Sequence, residues 1–105
     1  MSDMQEKTVP TLHGLRARRD EIIALAHAHG ASNVRVFGSV ARGDSTAESD
    51  IDLLVTWDYA RISSWGGVEF DRALHTMLGV RVDVISDDGL SHVMTHHILG
   101  EAVPL

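Results

Sequence analysis

Apolar residues recur at helical spacing in three stretches of the chain. The first stretch, Thr11–His29, is followed by Gly30, a residue that commonly ends helices. Two further helices are predicted at about Ser64–Leu78 and at Ser91–Gly100. The apolar stripe of the first helix consists of Leu12, Leu15, Ile22, Ile23, Leu25 and Ala26.

Three shorter segments, Val34–Phe37, Asp50–Val55 and Val80–Ile85, have the apolar content of strands. In the third segment, valines at every second position alternate with Arg81 and Asp83, which is the pattern of a half-buried strand. Helices and strands mixed along the chain in this way predict an α+β fold, with a small mixed β-sheet flanked by helices.

Length and charge restrict the classes of function. With 105 residues the chain can bury one modest core, so we expect a flexible leader over residues 1–10 and a single domain over residues 11–105. The formal net charge of −6 disfavours binding to nucleic-acid phosphates, so no direct nucleic-acid partner is expected. The chain has no cysteine, no secretory signal pattern and no long apolar run, which predicts a cytoplasmic protein without a membrane partner.

The pair Gly38-Ser39 lies at a strand-to-helix junction that is a candidate anion site. Gly38 allows the backbone to approach a ligand closely, and the Ser39 hydroxyl can donate to a phosphate oxygen at a helix N-terminus. Ser39 is also a preferred capping residue, so a purely structural cap is the alternative. The junction matches neither the P-loop nor the dinucleotide-binding glycine pattern.

Asp50 and Asp52 form a candidate metal site. Side chains of a strand alternate between its faces, so these two carboxylates would share one face and repel each other. Magnesium prefers carboxylate oxygens and shares its other positions with phosphates and water, so it would relieve this repulsion. Two alternatives stay open: the two aspartates are simply solvated at the start of a strand, and Asp83 forms a salt bridge with Arg81.

Three segments follow one another in a specific order: Gly38-Ser39-Val40-Ala41-Arg42-Gly43, then Ser49-Asp50-Ile51-Asp52-Leu53-Leu54-Val55, then Val82-Asp83-Val84-Ile85. In order, spacing and strand context they resemble the DNA polymerase beta-type nucleotidyltransferase superfamily, and most closely its minimal nucleotidyltransferase (MNT) branch. The C-terminal segment Ile98–Leu105 is also similar to the usual end of that branch. The resemblance covers roughly Val34–Leu105.

The resemblance implies that the first two strands are antiparallel neighbours, which would bring the Gly38-Ser39 junction beside Asp50 and Asp52. It implies that Gly38 and Ser39 hold the β- and γ-phosphates of ATP. It also implies that Asp50 and Asp52 ligate two magnesium ions, and that Asp83 completes the catalytic metal site and can accept a proton. The adenine base is likewise an expectation from the family.

Two further residues are assigned to nucleotide binding, each with an alternative. Arg42 could contact a phosphate, but a salt bridge with Asp44 or Glu48 is an equal candidate. Ser49 could face the nucleotide or could cap the loop before the strand.

The histidines and aromatic residues offer weaker alternatives. His92, His96 and His97 could bind zinc from one helix, but Val93 stands where a metalloprotease motif needs glutamate. The aromatic residues Trp57, Tyr59 and Trp65 are assigned to packing or partner contact rather than to stacking on a base.

In function, the resemblance implies an antitoxin that forms a hetero-oligomer with a HEPN-domain RNase toxin and blocks it by transferring AMP from ATP to a hydroxyl, expected to be a tyrosine. Two alternatives stay open. One is an antitoxin that acts by binding alone, with a vestigial nucleotide site, and the other is nucleotidyl transfer to a small molecule.

Overall fold

The computed structural model describes residues 9–62, 66–88 and 92–105 of the chain. These described segments form five helices and four strands. The helices are α1 (Leu12–Ala17), α2 (Arg19–Ala28), α3 (Gly38–Arg42), α4 (Gly66–Leu78) and α5 (His92–Glu101). The strands are β1 (Ala31–Phe37), β2 (Ile51–Trp57), β3 (Val82–Ser86) and β4 (Val103–Pro104). In the described part of the chain, no helix is long and apolar enough to cross a membrane.

The strands form one mixed sheet in the order β3-β2-β1-β4, which confirms the predicted α+β fold. Strand β1 runs antiparallel to both β2 and β4, and β2 runs parallel to β3. The register places Phe37 opposite Asp52, and Asp52 opposite Asp83. The ends of three strands therefore meet at the residues that carry the candidate chemistry.

The two faces of the sheet are covered unequally. One face packs against α2 and α4 through a large apolar cluster, in which Ile22, Phe70 and Leu74 are fully buried. The other face carries a small cluster of Phe37, Leu54 and Ile98. Because side chains alternate along a strand, Asp52 lies on this second face with Leu54, and Asp83 shares it.

The predicted helix Thr11–His29 is wrong in its continuity, because α1 ends at Ala17 and α2 begins at Arg19. Arg18 leaves the helical conformation, with φ −111° and ψ 21°. Its guanidinium donates to the backbone carbonyl of Met77 over 2.8 Å, and this long-range contact accompanies the break. The predicted start at Thr11 is confirmed, since its hydroxyl caps the helix by accepting from the Gly14 N–H.

The strand boundaries also differ from those predicted. Strand β1 begins at Ala31 rather than Val34, β2 begins at Ile51 rather than Asp50, and β3 begins at Val82 rather than Val80. The two-residue strand β4 was not predicted, because it is too short to show a periodic pattern. Of the predicted leader, residues 1–8 lie outside the described part of the chain, as do Ser64 and Trp65.

Candidate functional site

Gly38 brings the end of β1 into direct contact with a carboxylate of β2. Its φ of 76° lies in the left-handed region that glycine favours. A Cβ at this position would overlap with Oδ2 of Asp52, so a larger residue would have to displace that carboxylate. The structure thus places the Gly38-Ser39 junction beside Asp52, as the resemblance implied.

Ser39 is the second residue of α3 rather than its cap. The N-cap position belongs to Phe37, which makes no capping side-chain hydrogen bond, so the alternative of a Ser39 cap is wrong. The Ser39 carbonyl closes the end of the short helix by accepting hydrogen bonds from the N–H groups of Gly43 and Asp44, each with an N···O distance of 3.0 Å. Among the described residues its hydroxyl has no hydrogen-bond partner, which leaves that hydroxyl available to a ligand.

Asp52 is a half-buried carboxylate with negative neighbours on both sides. Its pKa is raised from the ordinary value, first by burial and then by the charges of Asp83 and Asp50. Arg42 acts in the opposite direction, but less strongly. The charges of Asp83 and Asp50 thus disfavour ionisation of Asp52, and a bound cation would relieve this repulsion.

Asp50 lies just before β2 and forms an ion pair with Arg81, with 3.8 Å between Oδ2 and Nε. Arg81 thus pairs with Asp50, whereas the sequence had suggested Asp83 as its partner. Within residues 9–62, 66–88 and 92–105, no three acidic, histidine or cysteine side chains are already gathered around one metal position. The donor chemistry of the three aspartates fits magnesium, and in this structure Asp50 is paired with Arg81.

Glu101, at the end of α5, makes contact with the junction, and sequence reasoning missed it. Its Oε1 accepts the backbone N–H of Gly38 over 2.6 Å. Its Oε2 accepts from Nη1 of Arg42 over 3.1 Å. The pKa of Glu101 is lowered, first by the hydrogen bond from Gly38 and also by Arg42. The only signal in the sequence was its position in the C-terminal segment that resembles the family.

Arg42 and Ser49 have structural partners of their own. Nε of Arg42 lies 3.3 Å from Oδ2 of Asp44, which confirms one of the two predicted salt bridges. The Ser49 hydroxyl accepts the backbone N–H of Thr46 over 2.8 Å, so it stabilises the loop before β2. The loop-cap alternative for Ser49 is therefore the one that the structure supports.

A cavity of about 330 Å³ opens between α4 and the edge strand β3, next to Asp83. Its polar lining comes from Asp71, Arg72 and His75 on one side and from Arg81 and Asp83 on the other. Oδ1 of Asp71 is buried and has no hydrogen-bond partner within the described part of the chain. The pKa of Asp71 is raised, first by burial and then by the charge of Asp83. Asp71 thus lines the cavity and carries a buried carboxylate oxygen whose negative charge is disfavoured.

The remaining candidates are the aromatic residues and the histidines. Trp57 packs edge-on against Phe70, with 5.9 Å between ring centroids, which confirms its packing role. The Tyr59 hydroxyl donates to Asp88. His96 and His97 are exposed, and the side chain of His92 lies outside what the structure describes.

Comparison with known proteins shows that the segment carrying the candidate site belongs to a known domain family. A sequence model of the nucleotidyltransferase domain matches residues 24–98, which include the Gly38-Ser39 junction and all three aspartates. The protein adenylyltransferase MntA of Thermococcus cleftensis is 35% identical over 75 residues, which is 70% of this chain and 74% of the relative.

Solved structures agree with the sequence comparison. A minimal nucleotidyltransferase is 45% identical, with a TM-score of 0.79 over 90% of this chain and 96% of its own. A toxin–antitoxin complex with AMP-PNP is similar in fold alone, at 23% identity and a TM-score of 0.68 over 81% of this chain and 69% of its own. The same holds for the complex of an MNT antitoxin with a tri-AMPylated HEPN toxin of Shewanella oneidensis, at 20% identity and a TM-score of 0.63 over 85% of this chain and 69% of its own.

Proposed function

This chain belongs to the nucleotidyltransferase domain family, and from that premise we propose that it is an antitoxin that transfers AMP from ATP to a partner HEPN toxin. The acceptor is a hydroxyl group, expected to be that of a tyrosine, and pyrophosphate is the second product. The relative from Thermococcus is a protein adenylyltransferase, and several neighbours in fold are MNT antitoxins in complex with HEPN toxins.

The observation that carries this proposal is the contact between Gly38 and Asp52. The backbone N–H of Gly38 can donate to an anion, and the Asp52 carboxylate lies directly against the same residue. Asp83 stands opposite Asp52 in the parallel register. Donors for a triphosphate and ligands for its counter-ion therefore lie within one small surface.

Asp50, Asp52 and Asp83 are the residues that would hold magnesium. When bound, magnesium neutralises charge on the phosphates and lowers the pKa of the acceptor hydroxyl. In the transfer, the acceptor oxygen forms a bond to the α-phosphorus, and the bond from that phosphorus to the β-phosphate oxygen breaks. The acceptor proton goes to Asp83 or to water.

The Gly38-Ser39 junction is assigned to the β- and γ-phosphates. The Gly38 N–H and the unpartnered Ser39 hydroxyl supply donors, and Arg42 supplies a positive charge close by. Holding the phosphates against fixed donors orients the α-phosphorus for attack and stabilises the charge that develops on the leaving pyrophosphate.

The cavity beside Asp83 is the place where we propose that the acceptor approaches. It adjoins the Asp83 carboxylate, to which the acceptor proton is assigned, and the Asp71 carboxylate also lines it. Arg72, His75 and Arg81 at its rim would attract acidic groups of the partner. A segment of the toxin that carries a tyrosine fits this chemistry.

The binding-only alternative predicts a different dependence on nucleotide. We would assay the RNase activity of the proposed HEPN partner after incubation with the wild type or with Asp50→Ala/Asp52→Ala. A catalytic antitoxin inactivates the toxin only with ATP and magnesium, and the inactivation persists after the antitoxin is removed. Equal neutralisation by both forms without ATP would overturn the proposal and favour the binding-only antitoxin.

A further inference from the structure

We propose that the Glu101 carboxylate occupies the position of a nucleotide phosphate when ATP is absent, and that it thereby sets the affinity of the site for the triphosphate. This inference rests on the proposed function, because it concerns the same phosphate-binding junction. It assigns a role to a residue outside the motif segments, on the last turn of α5.

The contacts of Glu101 are those that a phosphate would make. One oxygen accepts the Gly38 N–H over 2.6 Å and the other accepts from the Arg42 guanidinium over 3.1 Å. A carboxylate and a phosphate oxygen are both anionic acceptors that bind the same kinds of donor. A triphosphate that uses the Gly38 N–H must therefore displace Glu101 first.

The backbone around Glu101 is fixed on both sides. The Ala102 N–H donates to the Ile98 carbonyl over 2.8 Å, and β4 pairs with β1 immediately afterwards. The chain is then secured by Leu105, which is buried and donates its N–H to the Val34 carbonyl over 3.1 Å. This anchoring keeps the carboxylate at the Gly38 N–H, so the exchange requires only rotation of the Glu101 side chain.

The position of Glu101 also adds negative charge where ATP must bind. Its side chain is 17% exposed, and its charge contributes to the raised pKa of Asp52. Rotation away from Gly38 releases one donor and the Arg42 guanidinium, and it lowers the repulsion of an incoming triphosphate. In the wild type, Glu101 thus lowers the affinity of the site for nucleotide.

A purely structural ion pair would behave differently. If Glu101 only fastened the C-terminal segment to Arg42, its removal would lower stability and would leave nucleotide affinity equal or reduced. If Glu101 were instead a further metal ligand, its removal would weaken binding of the magnesium complex. Of these three roles, only displacement of the Glu101 carboxylate by a phosphate predicts that substituting Glu101 strengthens nucleotide binding.

The test is calorimetric titration of the full chain with AMP-PNP, with and without magnesium. Glu101→Gln removes the charge at constant size, and Glu101→Asp keeps the charge but shortens the reach toward Gly38. Asp44→Asn is the matched control, because it removes one carboxylate from the same arginine without touching Gly38. Thermal unfolding of each variant establishes that it is folded.

We expect both Glu101 variants to bind AMP-PNP about threefold to tenfold more tightly than the wild type, since a charged acceptor is replaced or withdrawn. Asp44→Asn should change the dissociation constant by less than about twofold, as an exposed ion pair does. Equal or weaker binding by both Glu101 variants would overturn the inference, as would no binding by any form. AMP labelling of the toxin by the wild type is measured separately. A failure of the role assigned to Glu101 can therefore be distinguished from a failure of the proposed function.

Discussion

A single glycine determines how closely the phosphate donors and the carboxylates approach each other. Gly38 combines a left-handed φ with a position directly against Asp52. The left-handed φ affects the stability of the backbone, whereas the contact with Asp52 affects the position of a carboxylate of the candidate site. Two glycines of the chain separate these effects, because Gly79 has nearly the same φ, 73°, with nothing within 4 Å of its Cβ position.

Gly38→Ala should therefore abolish AMP transfer and destabilise the fold, and Gly79→Ala should only destabilise it. A left-handed alanine costs roughly 1–2 kcal/mol at either position. At Gly38 the methyl group also displaces the Asp52 carboxylate. Chemical denaturation and the transfer assay on both variants check this prediction, which fails if Gly38→Ala transfers AMP at the wild-type rate.

The raised pKa of Asp52 leads to a second prediction, which concerns how the stability of the metal-free protein depends on pH. The unfolded chain loses this proton near the ordinary value of 3.8, and the folded chain loses it only at higher pH. Above the folded pKa the buried charge therefore costs stability. As the pH falls through that pKa, the folded state takes up the proton first and the cost disappears.

Asp52→Asn should accordingly raise the melting temperature at neutral pH in the presence of a chelator, with a difference that shrinks at acid pH. The same variant should lose transfer activity. Thermal unfolding of both proteins between neutral and acid pH is the measurement. A variant that is less stable than the wild type at neutral pH would contradict the assignment of repulsion to this carboxylate.

At the level of helices and strands, the units β1-α3-β2 and β3 bring the site together. Strands β1 to β3 could be predicted from the sequence because they carry clear apolar patterns. The Gly38-Ser39 junction could be predicted because it is local in sequence. Arg18 and Glu101 escaped prediction because each acts through a partner distant in sequence, Met77 for Arg18 and Gly38 for Glu101. Such contacts depend on tertiary packing, which no local pattern records.

The edge formed by α4 and β3 carries a third prediction, about the acceptor. Asp71→Asn removes the charge beside Asp83 and replaces one acceptor oxygen by a donor. We expect a higher KM for the toxin in AMP transfer, with the affinity for AMP-PNP unchanged. Glu69→Gln on the same helix is the control, because Glu69 is exposed and does not line the cavity. An unchanged KM for the toxin would remove the cavity from the acceptor path.

At the scale of the whole molecule, the carboxylates of the site lie on the sheet face that carries the small apolar cluster. The described chain forms one sheet with its large apolar cluster on the opposite face. The net charge of −6 repels a triphosphate, and a bound cation together with Arg42 would offset that repulsion. The acceptor hydroxyl that we propose belongs to a partner protein, which would approach at the edge formed by α4 and β3.

AMP transfer to a protein is tested most directly by the intact mass of the HEPN partner after incubation with this protein, magnesium and ATP. We expect a mass increase in whole AMP units, absent when Asp50→Ala/Asp52→Ala replaces the wild type. An unmodified partner that still forms a stable complex with the wild type, or equal modification by the double variant, would contradict it.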